Sequence, residues 1–213
     1  DPKFASGLLP IVQEHAPVAS AAGLWADEIA AAWGSCGGGS GNVVCDRFMD
    51  GYWYMHQLGT LARQGHSVFA RQTLRGGWYE LLNQTDASPH PDYYTALLWK
   101  RLMGRKILDI TVLGDSSKLR VEAACARTND GAVVLAFSNP QPSGLTLSLP
   151  GTPTLPRREW HLTTAAPAGV SELSSRLLSR EMLLNGELLS QDSLGPGGMA
   201  GRAVTAPSPA AIG

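Results

Sequence analysis

Long hydrophobic runs are what this sequence most clearly lacks. None approaches the roughly 18 apolar residues that a bilayer-spanning helix needs, so no transmembrane segment is expected. Excess charge of one sign is also missing: 17 basic residues against 18 acidic ones leave a net charge of -1. With the basic residues scattered along the chain, neither a nucleic acid nor a membrane surface is expected as a partner. Cysteine is scarce. Cys36, Cys45 and Cys125 show no CxxC spacing and no histidine at zinc-ligand distance, so no metal site and no cofactor is expected, and the odd number leaves at least one thiol unpaired. A methionine start and a signal peptide are absent as well; the chain opens at Asp1, which reads as an internal fragment or a processed product. What is present is a globular composition, 44% hydrophobic and 16% charged over 213 residues, enough for one large domain or two small ones.

Two rhythms divide the chain. Phe4, Leu8, Ile11 and Val12 fall at helical spacing before Pro17. Gly23 to Asp27 is short, apolar and bounded, as a buried parallel strand is. An apolar-rich helix is predicted from Cys45 to Arg63 and a second strand in "SVFARQT", Ser67 to Thr73. A helix from Pro91 to Met103 carries Pro and Asp in its first turn, Lys100 and Arg101 in its last and Gly104 just beyond. This strand-helix alternation belongs to a parallel sheet or barrel. A closed (β/α)8 barrel takes roughly 250 residues, so residues 1–105 hold only part of one.

After residue 105 the pattern becomes short alternating runs, "KILDITVLG", "KLRVEAACART", "AVVLAFSNP", "GLTLSLPG", "RREWHLTTA" and "EMLLNGELL", separated by Gly, Pro, Asn and Asp. Residues 106–194 therefore read as an antiparallel β-sandwich. Residues 195–213, rich in Gly, Pro, Ala and Ser without periodicity, read as a disordered tail. The fold class expected is α/β plus all-β.

Candidate chemistry gathers at the strand ends. Glu28 closes the first strand at the end where parallel α/β architectures present catalytic side chains, although spacing alone favours a charged cap in solvent. The glycine-rich loop after it lacks the lysine of a phosphate-binding loop, which argues against a nucleotide. Arg71 and Gln72 end the second strand at the equivalent height. Arg71 is there to pair with a substrate carboxylate, to hold Glu28 ionised by its nearby positive charge, or as an ordinary surface arginine. Trp78 and Tyr79 beside Gly76-Gly77 form either a sugar-stacking platform or part of the core. Asn83-Gln84-Thr85 is an N-glycosylation sequon, meaningful if the chain is secreted.

Read together, "GLWADEIAAAWGSCGGGSG", "CDRFMDGYWYMHQLGTLARQG", "VFARQTLRGGWYELLN", "PDYYTALLWKRLMGRKIL", "KLRVEAACA" and "LLNGELL" resemble, in this order, the C-terminal part of the heparanase-like glycoside hydrolases of family 79, most closely the plant heparanase-like type. The resemblance covers about residues 1 to 190. It implies the last part of a (β/α)8 barrel followed by a β-sandwich. It also implies a retaining hydrolase acting on β-glucuronides of glycans or small aglycones, with Glu28 as nucleophile. Gly34 falls on backbone that approaches the uronic acid carboxylate, Gln72 and Tyr79 on substrate-contacting positions, and Arg71 on a residue supporting the site electrostatically. The implied location is secreted, cell wall, vacuolar or lysosomal.

The family's acid/base lies in an Asn-Glu motif on an earlier barrel strand, and no such motif precedes Glu28; Glu14 has the wrong context. The partners expected are thus a glucuronic-acid-containing carbohydrate and the missing N-terminal barrel half, from the same polypeptide or a separate subunit. The alternative is a non-catalytic carbohydrate-binding or structural remnant. Several positions depart from the family pattern. Trp33 replaces the usual Tyr, Ser35 and Cys36 interrupt the glycine run, and Trp78 stands where Asn is common. In relatives the cysteine at the position of Cys125 pairs with a later one, which this chain lacks. The family's closing strand is not recognisable after Leu189.

Overall fold

The computed structural model describes residues 24–29, 45–77, 79–113, 119–128, 131–139, 144–148, 156–164, 176–204 and 210–212, of which 24–29 and 210–212 are described by backbone alone. The helix expected around Phe4 to Val12 lies outside the described residues. The chain runs from strand β1 (Leu24–Ile29) to helix α1 (Phe48–Arg63), strand β2 (His66–Arg71) and helix α2 (Pro91–Leu102). β1 and β2 pair in parallel, as the strand-helix rhythm predicts.

Helix α2 begins where its sequence says it should. Pro91 occupies the first turn, and His90 before it is extended at φ -82° and ψ 164°, the region a following proline enforces. Helix α1 has no side-chain cap. Its Phe48 amide, one of the orphan donors of a helix start, instead donates to Ser179 O at 2.8 Å, so a distant part of the chain completes the helix.

From Met103 the architecture changes to short antiparallel pairings. β3 (Met103–Leu108), β4 (Arg120–Ala126) and β5 (Val133–Ser138) form one sheet in the order β3-β4-β5. β6 is Leu145–Leu147 and β7 is Arg157–Glu159, while β8 (Leu162–Thr164), β9 (Met182–Leu184) and β10 (Glu187–Leu188) form a second three-stranded sheet. Asn185 and Gly186, both at positive φ (52° and 92°), join β9 to β10, the type of turn an Asn-Gly pair between apolar runs announces. Residues beyond Gly195, expected to form a tail without structure, contribute two strands: β11 (Arg202–Val204) pairs with β7, and β12 (Ala210–Ile212) pairs with β6. Strand pairing satisfies backbone groups whatever the side chains are, which is why composition did not register it.

Two apolar clusters hold these parts together. Cys45, Trp53, Tyr54 and Leu81 gather against Phe69 and Tyr79. Tyr94 and Leu98 of α2 are buried with Met182, Leu184 and Met199, so the second helix shares its core with the β8-β9-β10 sheet. Cys45 is disulfide-bonded, with its partner outside the described residues, whereas Cys125 is a free thiol. No helix among the described residues is long and apolar enough to cross a membrane.

Candidate active site

The parallel pair brings the C-terminal ends of β1 and β2 together. Ala26 pairs with Phe69 and Ile29 with Arg71, so Asp27 and Glu28 together oppose Ala70. This is a bulge at the strand end, an irregularity frequent beside active sites. The backbone thus places Glu28 level with Ala70 and Arg71, and Gln72 follows at once. Gly34, Trp33, Ser35, Cys36 and Trp78 lie outside the described residues.

Arg71 is not a surface arginine. Its side chain is 2% exposed, and its Nη2 donates to Asp50 Oδ2 at 3.0 Å and to Asp92 Oδ2 at 2.9 Å, both acids being fully buried. Its guanidinium carbon also lies 5.3 Å from the centre of the Trp53 ring and 5.5 Å from that of Tyr54, within cation–π range. The arginine therefore binds the end of β2 to the first turns of both α1 and α2. Two carboxylates against one guanidinium would leave a net buried negative charge, an expensive arrangement. Burial, with Asp92 alongside, holds the Asp50 carboxyl well above the ordinary carboxylate range; Asp92 is also raised by burial, against the pull of Arg71. The two acids hydrogen-bond each other, which requires a proton on one of them. With that proton on Asp50 the triad is neutral.

After β2 the chain makes a self-wired loop that carries the other candidate residues. Gln72, half-buried, joins Thr73 through a cis peptide. Leu81 N donates to Thr73 O and Leu82 N to Leu74 O, each at 2.9 Å, so the loop's two arms run side by side. Tyr79, half-buried, packs against the Trp53–Tyr54 cluster, which places it at the edge of the core. Glu80, only 5% exposed, accepts the amides of Gly76 and Gln84 at 2.6 Å each. The Asn83 side chain accepts the Thr85 amide at 2.8 Å, an Asx turn on the half-exposed face of the loop. Asp50 and Glu80 carried no signal in the sequence. Asp92 read only as an acid favourable to the start of its helix, and the arginine that claims it is 21 residues away.

A second polar seam lies on another side of α1. Tyr52, His56, Gly59 and Arg63 recur at helical spacing, and from this side Arg63 Nη2 reaches Glu122 Oε1 of β4 at 3.2 Å. Gly59 permits this approach, since a Cβ there would lie 2.3 Å from Glu122 Cγ and Cδ. Glu122 is 2% exposed and neither of its oxygens accepts a hydrogen bond among the described residues. Burial pushes its carboxyl up to about 7, against the pull of Arg63 and Arg120. His56 is driven the other way, to about 4, by burial and by the same two arginines.

Comparison with known proteins gives the arrangement its relatives. No family model matches the chain. Over 171 residues it is 37% identical to baicalin-β-D-glucuronidase of Scutellaria baicalensis, covering 78% of this chain and 31% of that protein. It is 41% identical over 138 residues to heparanase-like protein 1 of Arabidopsis thaliana, covering 65% of this chain and 24% of that protein. To heparanase of Gallus gallus it is 32% identical over 163 residues, 73% of this chain and 30% of that protein. The chain thus matches about a third of the length of these curated relatives or less. These relatives share the heparanase or glucuronidase name at 32–41% identity: the chain belongs to the heparanase-like family.

Proposed function

We propose that this chain is the nucleophile-bearing part of a retaining glycoside hydrolase acting on β-glucuronides, the last strands of a (β/α)8 barrel joined to a β-sandwich. The observation that carries the reading is the bulge opposite Ala70, which sets Glu28 at the strand end beside Arg71 and Gln72. The relatives named for glucuronidase and heparanase activity support the same chemistry. In this reading the Glu28 carboxylate attacks the anomeric carbon and the aglycone oxygen leaves. A second carboxyl, about 5 Å away, protonates that oxygen and later takes a proton from the water that releases the sugar. The second acid would come from the remaining part of the barrel, in the same polypeptide or a separate subunit. Gly34, Gln72 and Tyr79 would contact the glucuronic acid. Arg71 would act from beneath, fixing the end of β2. A secretory, cell wall or vacuolar setting fits this role and would bring Asn83 within reach of glycosylation.

The reading is tested by treating the full-length natural protein with a mechanism-based glucuronide inactivator and mapping the labelled peptide. Label on Glu28 is the expected result. Label on another carboxylate rejects the nucleophile assignment, and no label together with binding of glucuronides favours a non-catalytic carbohydrate-binding role.

A further inference from the structure

The loop between β2 and α2 is held by one buried carboxylate. Glu80 Oε2 accepts the Gly76 amide and Oε1 accepts the Gln84 amide, both at 2.6 Å, so one side chain ties a point four residues before it to a point four residues after it. Bonds of this length between a carboxylate and amide donors are charge-assisted, stronger than neutral ones. At 5% exposure the carboxylate has little water to compete for it. Its own backbone is fixed as well, with His90 Nδ1 2.8 Å from Glu80 O and His90 N donating to Leu81 O at 2.9 Å. The loop is thereby anchored to the start of α2. Two further bonds close it: Thr73 Oγ1 to Gly76 O, and Arg75 Nη2 to Gln84 O at 2.9 Å. Gln72 precedes this wired segment and Tyr79 sits inside it.

We propose that Glu80 is a positioning residue for substrate binding: by clamping Gly76 and Gln84 it presets the loop that presents Gln72 and Tyr79. This rests on the hydrolase reading above. The loop is ordered before the sugar arrives, so binding does not have to supply the ordering free energy. A glutamine in its place keeps the length but replaces one acceptor by an NH2 donor, which then faces an amide donor. One of the two ties is lost while the fold's core is untouched.

The test uses Glu80→Gln in the full-length natural protein, with 4-nitrophenyl β-D-glucuronide as probe and hydrogen exchange of the Gly76 and Gln84 amides as a second readout. Expected are a KM raised at least about tenfold with kcat within about threefold, exchange at one or both amides faster by about tenfold or more, and a melting temperature lowered by no more than about 4 °C. Faster exchange with an unchanged KM in an active enzyme overturns the positioning role, and unchanged exchange overturns the clamp itself. If Glu80→Gln does not fold, Glu80→Asp keeps both acceptors but withdraws them by one methylene. The same readouts then decide, with an unchanged KM again overturning the proposal. A wild-type protein that neither hydrolyses nor binds the glucuronide, while its amide protection still depends on Glu80, sinks the hydrolase reading and this role with it.

Discussion

Helix α1 buries ionisable groups on two sides. Towards β2 and α2, Asp50 joins Arg71 and Asp92 in a set whose charges cancel once a single proton is shared. Towards β4, Glu122 sits against Gly59 with the half-exposed Arg63 3.2 Å away, and burial raises its carboxyl to about 7, so that it holds its proton below that pH. The first arrangement is locked by geometry and the second is balanced by pH. An ion set with fixed partners ties strand and helices to one register, whereas a buried acid facing a half-exposed arginine makes the seam between helix and sheet responsive to the medium.

The comparison breaks most severely at Arg71. Arg71→Met is expected to destabilise the protein by about 3–5 kcal/mol in urea unfolding, because two buried acids lose their cation; a loss under about 1 kcal/mol would mean the triad is not what fastens β2. Next comes Gly59→Ala, which forces a methyl into the space of Glu122 and should cost about 1–3 kcal/mol. A double variant with Glu122→Ala should recover most of that loss, and no recovery would separate the two residues.

Glu122→Gln sharpens the other half of the contrast. The folded-state value of about 7 lies above the ordinary 4.5, so the native state holds a proton that the unfolded chain releases first. The contribution is complete below the ordinary value and fades as pH rises through about 7. His56, lowered to about 4, works in the opposite sense, weakening the fold as pH falls below 6.5. Removing Glu122 should therefore flatten the decline between pH 5 and 7.5 by about 1–2 kcal/mol, a value reduced for screening at the exposed Arg63. An unaltered profile would show that Glu122 does not titrate there. The smallest effect is expected from Asp50→Asn, below about 1 kcal/mol, since an amide accepts from Arg71 and donates to Asp92 as the protonated acid does. A loss above about 2 kcal/mol would place the proton on Asp92 instead.

Elements with local punctuation were legible in the sequence: Pro91 and Asp92 opening α2, and the alternating runs that became β3, β4 and β5. The Asn185-Gly186 turn, hidden inside one apolar run, was not. The parallel pairing of β1 with β2 followed from their spacing around α1. Partners separated by long stretches of chain were not legible. Nothing local ties Arg71 to Asp50 and Asp92, each 21 residues off in opposite directions. Glu122 occupies a position in β4 where a glutamate ordinarily faces water, and the one hint of its burial was a glycine in the middle of α1. The strands of three residues after Gly195 are too short and too poor in branched side chains to stand out from their surroundings.

Leu102 ends α2 and Met103 begins β3 with no turn between them, while Arg127 N returns from the far end of β4 to donate to Leu102 O at 2.9 Å. There is consequently no slack chain at the change of architecture, no pivot on which one part can swing and no loop to invite a protease. Met182, Leu184 and Met199 would meet water if the sheets were cut away from Tyr94 and Leu98. Helical and sheet regions must be inherited, expressed and engineered as one piece, and a chimera spliced at residue 103 would have to bring a matching helix with it.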